Sequence, residues 1–259
     1  MDKLMKVLQS EMPRPTMYGP FHIMWIIISI ILVIYFIKDK NYSEKKLKTI
    51  LLVYGVIAFI LELLKQISWS YDAGIWSYTW YAAPFQLCTT PIYVSLICLF
   101  LKKGKLRDSL LSYLSFITIL GSITTAIYPA TCFVRDILVN IHTMYLHFGS
   151  LVVSLYLLIS GEVKINKENF FNAYKVFLVF VLFAEILNII VYKSGILNGQ
   201  TFNMFYISPY FPSTLPVFDI IYEHFPFIVF LLIYLLVIFL GTAFIYLISK
   251  VINKKVNRL

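Results

Sequence analysis

PFQLCTTPIYVSLICLFLKKGK, residues 84–105, governs how the rest of the chain is read. Its first part sets an amide (Gln86), a thiol (Cys88) and two hydroxyls (Thr89 and Thr90) between Pro84 and Pro91. Its apolar body runs to Leu101, and it ends in a basic cluster of Lys102, Lys103, Lys105 and, just beyond, Arg107. About 20 apolar residues in a helix span the roughly 30 Å of bilayer hydrocarbon. The stretch therefore reads as a transmembrane segment with its chemistry at one membrane face and its lysines at the other.

Composition places the whole chain in the same class. Of 259 residues, 60% are hydrophobic and 14% charged, with a mean hydropathy of +0.81; soluble domains carry roughly 25% charged residues. These values exclude a soluble enzyme and predict an all-α, polytopic membrane bundle of about seven transmembrane helices. The apolar runs are roughly Phe21 to Ile37, Ile50 to Trp69, Pro84 to Leu101, Leu110 to Tyr128, Ile137 to Ser160, Phe171 to Tyr192 and Phe225 to Ile248. The expected organisation is an amphipathic N-terminal segment (1–20), a membrane domain (21–249) and a basic tail (250–259). Residues 1–20 lack the apolar core of a cleaved signal peptide. The net charge of +9 belongs to lysines in connectors, so nucleic acid is not an expected partner. Cys88, Cys98 and Cys132 form no C-x-x-C motif, and a disulfide framework is not expected.

Connector charge orients the bundle. Lys38 to Lys48, Lys102 to Arg107, Lys164 with Lys167, and Lys250 to Arg258 fall on one side; Lys3, Lys6, Arg14, Arg135 and Lys193 fall on the other. By the positive-inside rule the C-terminus is cytoplasmic and the N-terminus outside. The expected location is the cell membrane, as a multi-pass protein.

That orientation puts eight polar residues in the outer half of the bilayer: Glu62, Lys65, Gln86, Cys88, His142, His147, Glu185 and Asn188. Ionisable groups in hydrocarbon cost several kcal/mol unless paired or hydrated, so they are expected to converge in a cavity open to the outer face. The chemistry they suit is acyl transfer. Cys88, about one helical turn in from Pro84, has the helix dipole in its favour as a nucleophile, and a histidine can take its proton. His142 and His147 differ by five residues, about 140° around a helix, and so do not face one centre; His147, the deeper, is the preferred base. His142 and Glu62 are possible supports, and Gln86, Thr89 or Asn188 can donate to an oxyanion. The connector from Lys193 to Glu223 is long enough to be a lid, and Pro209, Pro212 and Pro216 stiffen it.

Plainer roles compete at each position. A cysteine in a membrane helix commonly packs as a small apolar residue. Glu62 and Lys65, three apart, can neutralise each other. Asn188 can be interhelical glue, and the loop tyrosines and tryptophans an interfacial belt. His142, His147, Glu62 and Glu185 are acceptable metal ligands but lack an H-x-x-x-H or H-E-x-x-H spacing, so neither metal nor other cofactor is expected.

Three motifs add a resemblance. Pro84-Phe85-Gln86-Leu87-Cys88, His147-Phe148-Gly149, and Asn203-Met204-Phe205-Tyr206-Ile207-Ser208-Pro209, set in about seven spans, resemble the YwaF-like integral membrane proteins, whose animal relative is transmembrane protein 164. The resemblance covers about Trp25 to Ile248. It implies a phospholipid acyltransferase using a cysteine and a histidine, which fall here on Cys88 and His147. This chain carries Gln86 where members often have histidine, and Ser208 where they often have lysine. Gln86 cannot act as a base, which places that duty on His147, and the missing lysine removes a headgroup contact.

The combined expectation is a lipid acyltransferase or transacylase with membrane lipid as both substrate and acceptor. Cys88 and His147 carry the chemistry, and Lys65, Glu185, Asn203 and Tyr206 are candidate substrate contacts. The rival class is a receptor-like binder or transporter in which Glu62, Lys65 and Glu185 contact a ligand or ion. A hydrolase using Thr89 or Thr90 is a third. Oligomeric state leaves no mark in the sequence.

Overall fold

A computed structural model describes residues 2–72, 74–129 and 132–256, with side chains between residues 3 and 253. Arg258 of the expected basic tail, and the side chains of Lys254 and Lys255, lie outside the described residues. Among the described residues the chain forms α1 (Asp2–Leu8), α2 (Pro20–Asp39), α3 (Glu44–Trp69), α4 (Thr90–Phe100), α5 (Lys105–Ile127), α6 (Ile137–Ile159), α7 (Lys167–Lys193), α8 (Phe218–His224) and α9 (Phe227–Val256). A two-residue hairpin, β1 (Tyr71–Asp72) against β2 (Ile75–Trp76), follows α3. Six helices, α2, α3, α5, α6, α7 and α9, are long and apolar enough to cross a membrane, and α4 is a shorter apolar helix. The chain is a multi-pass helical membrane protein.

Local signals start these helices. Ser43, Asp136 and Asn166 accept from the backbone N–H three residues on, opening α3, α6 and α7; such caps satisfy amides that the first turn leaves without partners. Pro20 occupies the first turn of α2, where its missing N–H costs nothing.

Helix α5 is the axis of the bundle. It is buried without a break from Leu110 to Ile119, because α4, α6, α7 and α9 all pack on it. Its serines remain tolerable there since Ser112, Ser115 and Ser122 each donate to the carbonyl four residues back, removing the cost of a bare buried hydroxyl. Helix α3 packs on both α4 and α6, and α5 packs on the same two. The four form a ring in which α4 and α6 stand diagonally opposite. At Gly55 on α3 a Cβ would sit 2.8 Å from Leu96 of α4, so that corner closes only around a glycine.

Ion pairs and hydrogen bonds fix which loops share an end. Glu44, opening α3, meets Arg107 at 2.7 Å and Lys103 at 3.4 Å, so the α2–α3 and α4–α5 connectors lie together at the basic end. At the opposite end Gln9 donates to the carbonyls of Ser68 and Tyr71, and Met12 donates to Arg135. The N-terminal segment thus lies across the tops of α3 and α6.

The third span departs from expectation. Only Thr90–Phe100 is helical, about 16 Å at 1.5 Å per residue, and Pro84 to Thr89 is irregular. Pro91, in the first turn of α4, has no N–H to give, and its ring would collide with the Leu87 carbonyl in a continuing helix. Hydropathy registered the length of the apolar run and missed that stop. Cys88 therefore precedes a helix N-terminus and does not lie one turn inside a helix.

The connector after α7 is also more than a cover. Phe202, Met204, Phe205, Ile207 and Ser208 are buried, so the loop descends into the bundle as a plug.

Candidate active site

Irregular backbone at membrane depth needs partners for every N–H and C=O, because hydrocarbon supplies none; it survives only when buried in protein or lining a cavity. Residues 84–90 meet that demand locally and at long range. The Gln86 carbonyl accepts from the amides of Thr89 and Thr90, at 2.9 and 3.3 Å, and from the Thr89 hydroxyl at 2.9 Å. The Thr90 hydroxyl donates to Leu87 O at 2.8 Å and accepts from the Tyr113 hydroxyl, 2.5 Å away on α5. The Tyr93 hydroxyl donates to Pro84 O.

The Gln86 amide reaches the plug. It donates to Asn203 O and accepts from Phe205 N, both at 2.9 Å. Asn188 of α7 grips the next residue in the same way, donating to Met204 O at 3.1 Å and accepting from Met204 N at 2.7 Å. Asn203 accepts from Ser208 N and donates to the carbonyls of Phe211 and Pro212. These grips hold an unfavourable backbone: Phe205 and Tyr206 have φ of 58° and 60°, a left-handed conformation that costs about 1–3 kcal/mol for each bulky residue. Gln86, Asn188 and Asn203 are thus engaged with backbone, and Thr89 with the Gln86 carbonyl. By contrast, the Leu87 amide has no acceptor among the described residues, and the Cys88 amide is directed at its own sulfur.

A charged cluster stands nearby on α3 and α6. Glu62 is 2% exposed, Lys65 8% and His142 4%. Glu62 meets Lys65 Nζ at 2.7 Å through one oxygen and His142 Nε2 at 2.7 Å through the other. Gln66, four residues on, donates to Glu62 at 2.8 Å and to Ala82 O. Glu62 thus pairs with Lys65 on its own helix and holds His142 across to α6. His142 Nδ1 is buried with no partner among the described residues, a deficit of about 1–3 kcal/mol.

Cys88 lies within electrostatic reach of Glu62, Lys65 and Cys132, Tyr206 within reach of Cys88, and His147 within reach of His142. Cys88 and His147 are both half-buried. They belong to opposite corners of the four-helix ring. Neither imidazole hydrogen-bonds the sulfur among the described residues. Gly149 explains the glycine two residues past His147: a Cβ there would meet the Tyr54 ring of α3 at 3.0 Å.

Not every polar residue joins this group. Glu185 is half-buried beside Asn188 and Tyr222, with one carboxylate oxygen lacking a partner among the described residues. The pocket at this end of the molecule, about 330 Å³, opens one turn further out along α3, against Ser68, Tyr71, Asp72, Thr79 and Asp136, and Cys88 does not line it. No group of three or more metal-ligating side chains occurs among the described residues. The sequence reading passed over Gln66, although Glu62, Lys65 and Gln66 form an i, i+3, i+4 set on one helix face; it also passed over Tyr113, whose only signal was a polar tip in mid-span.

A sequence model of the TMEM164 family matches residues 17–254, which agrees with the resemblance carried by the three motifs. No curated protein and no solved structure matches the chain.

Proposed function

The chain belongs to the TMEM164 family, and from that premise we propose that it is a membrane-embedded acyltransferase acting on phospholipid or another acyl lipid. The observation that carries this reading is the interrupted third segment. Its non-helical backbone sets Cys88 just ahead of the α4 N-terminus, within electrostatic reach of the buried Glu62–Lys65 pair that His142 joins. Such interruptions of transmembrane helices cost hydrogen bonds, and in membrane proteins they occur where substrate is held.

In this reading His147 takes the Cys88 proton as the sulfur attacks the acyl carbonyl of the donor lipid. The C–O ester bond breaks, the lysolipid oxygen leaves with that proton, and the acyl group stays on Cys88 as a thioester. An acceptor hydroxyl then attacks the thioester carbonyl, its proton passes to a base, and the Cys88 sulfur leaves and is reprotonated. The Leu87 amide, and the Cys88 amide once it turns from its own sulfur, are the oxyanion donors, since the side chains of Gln86, Thr89 and Asn188 hold the surrounding backbone. The plug over residues 202–208 keeps water from the thioester, which favours transfer over hydrolysis. Tyr206, beside Cys88, is the plug residue placed to touch substrate, and the outer leaflet of the cell membrane is the expected source of lipid.

The test is acyl exchange in vesicles of labelled phospholipid by purified wild-type and Cys88→Ala proteins. Exchange by the wild type and its loss in the variant are expected; equal exchange by both removes Cys88 from the chemistry. Iodoacetamide should label Cys88 much faster than Cys98. Equal, slow labelling transfers weight to a binder in which Glu62 and Lys65 contact ligand.

A further inference from the structure

The thiol step needs one base, yet the site holds two imidazoles in different settings. The His147 imidazole has no hydrogen-bond partner among the described residues. His142 is held by Glu62 at 2.7 Å through Nε2, and its other nitrogen is buried and unpartnered. A carboxylate only accepts, so Nε2 carries the proton, and in the neutral ring Nδ1 presents its lone pair. Lys65, 2.7 Å from the same carboxylate, already balances its charge, so the cluster does not need a charged imidazole for neutrality.

This arrangement suits a harder deprotonation than that of a thiol. A cysteine thiol ionises near pH 8.5 and can give its proton to an unassisted imidazole. An alcohol is far less acidic, and imidazoles that deprotonate hydroxyls are held by a carboxylate that fixes the tautomer and stabilises the imidazolium as it forms. We propose that Glu62 and His142 form the base for the acceptor alcohol, with His142 Nδ1 taking its proton, so that the two histidines divide the transfer between its half-reactions. The inference rests on the acyl-transfer reading above.

The acceptor's O–H bond breaks as its proton passes to His142 Nδ1, and its oxygen bonds to the thioester carbonyl carbon. The C–S bond breaks and the Cys88 sulfur leaves with the proton returned from His142. The new ester departs with every group restored. His142 is catalytic in this step; Glu62 is a positioning residue.

The experiment separates the half-reactions. Wild-type, His142→Gln and Glu62→Gln proteins are placed in vesicles of acyl-labelled phosphatidylglycerol, with lysophosphatidylethanolamine as an acceptor distinct from the donor's own lysolipid, and both protein-bound label and turnover to labelled phosphatidylethanolamine are read. Each variant should take up close to one equivalent of label on Cys88, as the wild type does in its first turnover. Turnover should then fall on the order of 10²–10³-fold, the scale of a lost general base. Hydroxylamine, a nucleophile that needs no base, should discharge the trapped thioester from the variants. Bound label also certifies that a variant is folded, and Glu62→Asp should recover part of the turnover. Turnover within twofold of wild type in both variants overturns the proposal, as does parallel loss of labelling and turnover in monodisperse protein. If wild-type protein never acquires label on Cys88, the acyl-transfer reading itself falls, a result distinct from either of these.

Discussion

Helix α3 carries a glutamate at each end, and each meets two cationic or imidazole partners. Glu44, at the basic end, joins Arg107 and Lys103; Glu62, toward the other, joins Lys65 and His142. Around Glu44 the neighbouring chain is helix and short turn, and its side chain is 35% exposed, so water and salt share the work of stabilising it. It ties two connectors together. Around Glu62 the side chain is 3% exposed and the adjoining segments are irregular; a bare buried nitrogen is common to both clusters, His142 Nδ1 here and Arg107 Nε there. Charge in a membrane helix thus does not mark a site by itself. The mark is a fully buried carboxylate together with broken backbone beside it.

The largest expected effect tests that contrast directly. Glu62→Ala strands the Lys65 ammonium and should cost about 3–5 kcal/mol, read as a lower unfolding temperature of detergent-solubilised protein. Replacing both Glu62 and Lys65 by Met should recover most of that stability. A Glu62→Ala protein as stable as wild type breaks the comparison. Glu44→Ala should cost less, about 1–2 kcal/mol, because the carboxylate and Lys103 are partly exposed even though Arg107 is buried, a case between an exposed and a buried pair. Raising salt to about 1 M, where the screening length is about 3 Å, should narrow the gap between Glu44→Ala and wild type and leave the Glu62→Ala gap in place.

Gln86→Leu sharpens the point about broken backbone, with an effect between those two. It leaves Phe205 N without a partner and Asn203 O with the Tyr206 amide alone, at about 1–3 kcal/mol, and should raise amide hydrogen exchange across residues 203–206 while α2 stays protected. Uniform exchange over both regions would deny the plug its dependence on Gln86.

The spans were legible because a bilayer imposes one demand, apolar length, that composition records directly. The same measure misjudged residues 84–89, where apolar content continues but Pro91 ends the hydrogen-bond ladder. Glu62 and Lys65 announced their pairing through spacing on a single helix. His142 as their third partner did not, because it depends on how α6 is rotated against α3. The amides of Gln86, Asn188 and Asn203 looked like candidates for chemistry or interhelical glue. The structure turns each toward a stretch of main chain that no local pattern identifies, since Phe205 and Tyr206 are bulky residues in a conformation that sequence reserves for glycine or asparagine.

The grip of Gln86 on the plug has a consequence for biogenesis. Its partners lie 117 and 119 residues further along the chain, beyond three more membrane helices. While those helices are being inserted, the segment around Cys88 has no stable home in the bilayer, and its peptide groups must stay hydrated or be shielded by the insertion machinery. The thiol is therefore assembled into its setting last, when residues 203–205 arrive, and a chain cut short before that point carries the cysteine without its surroundings.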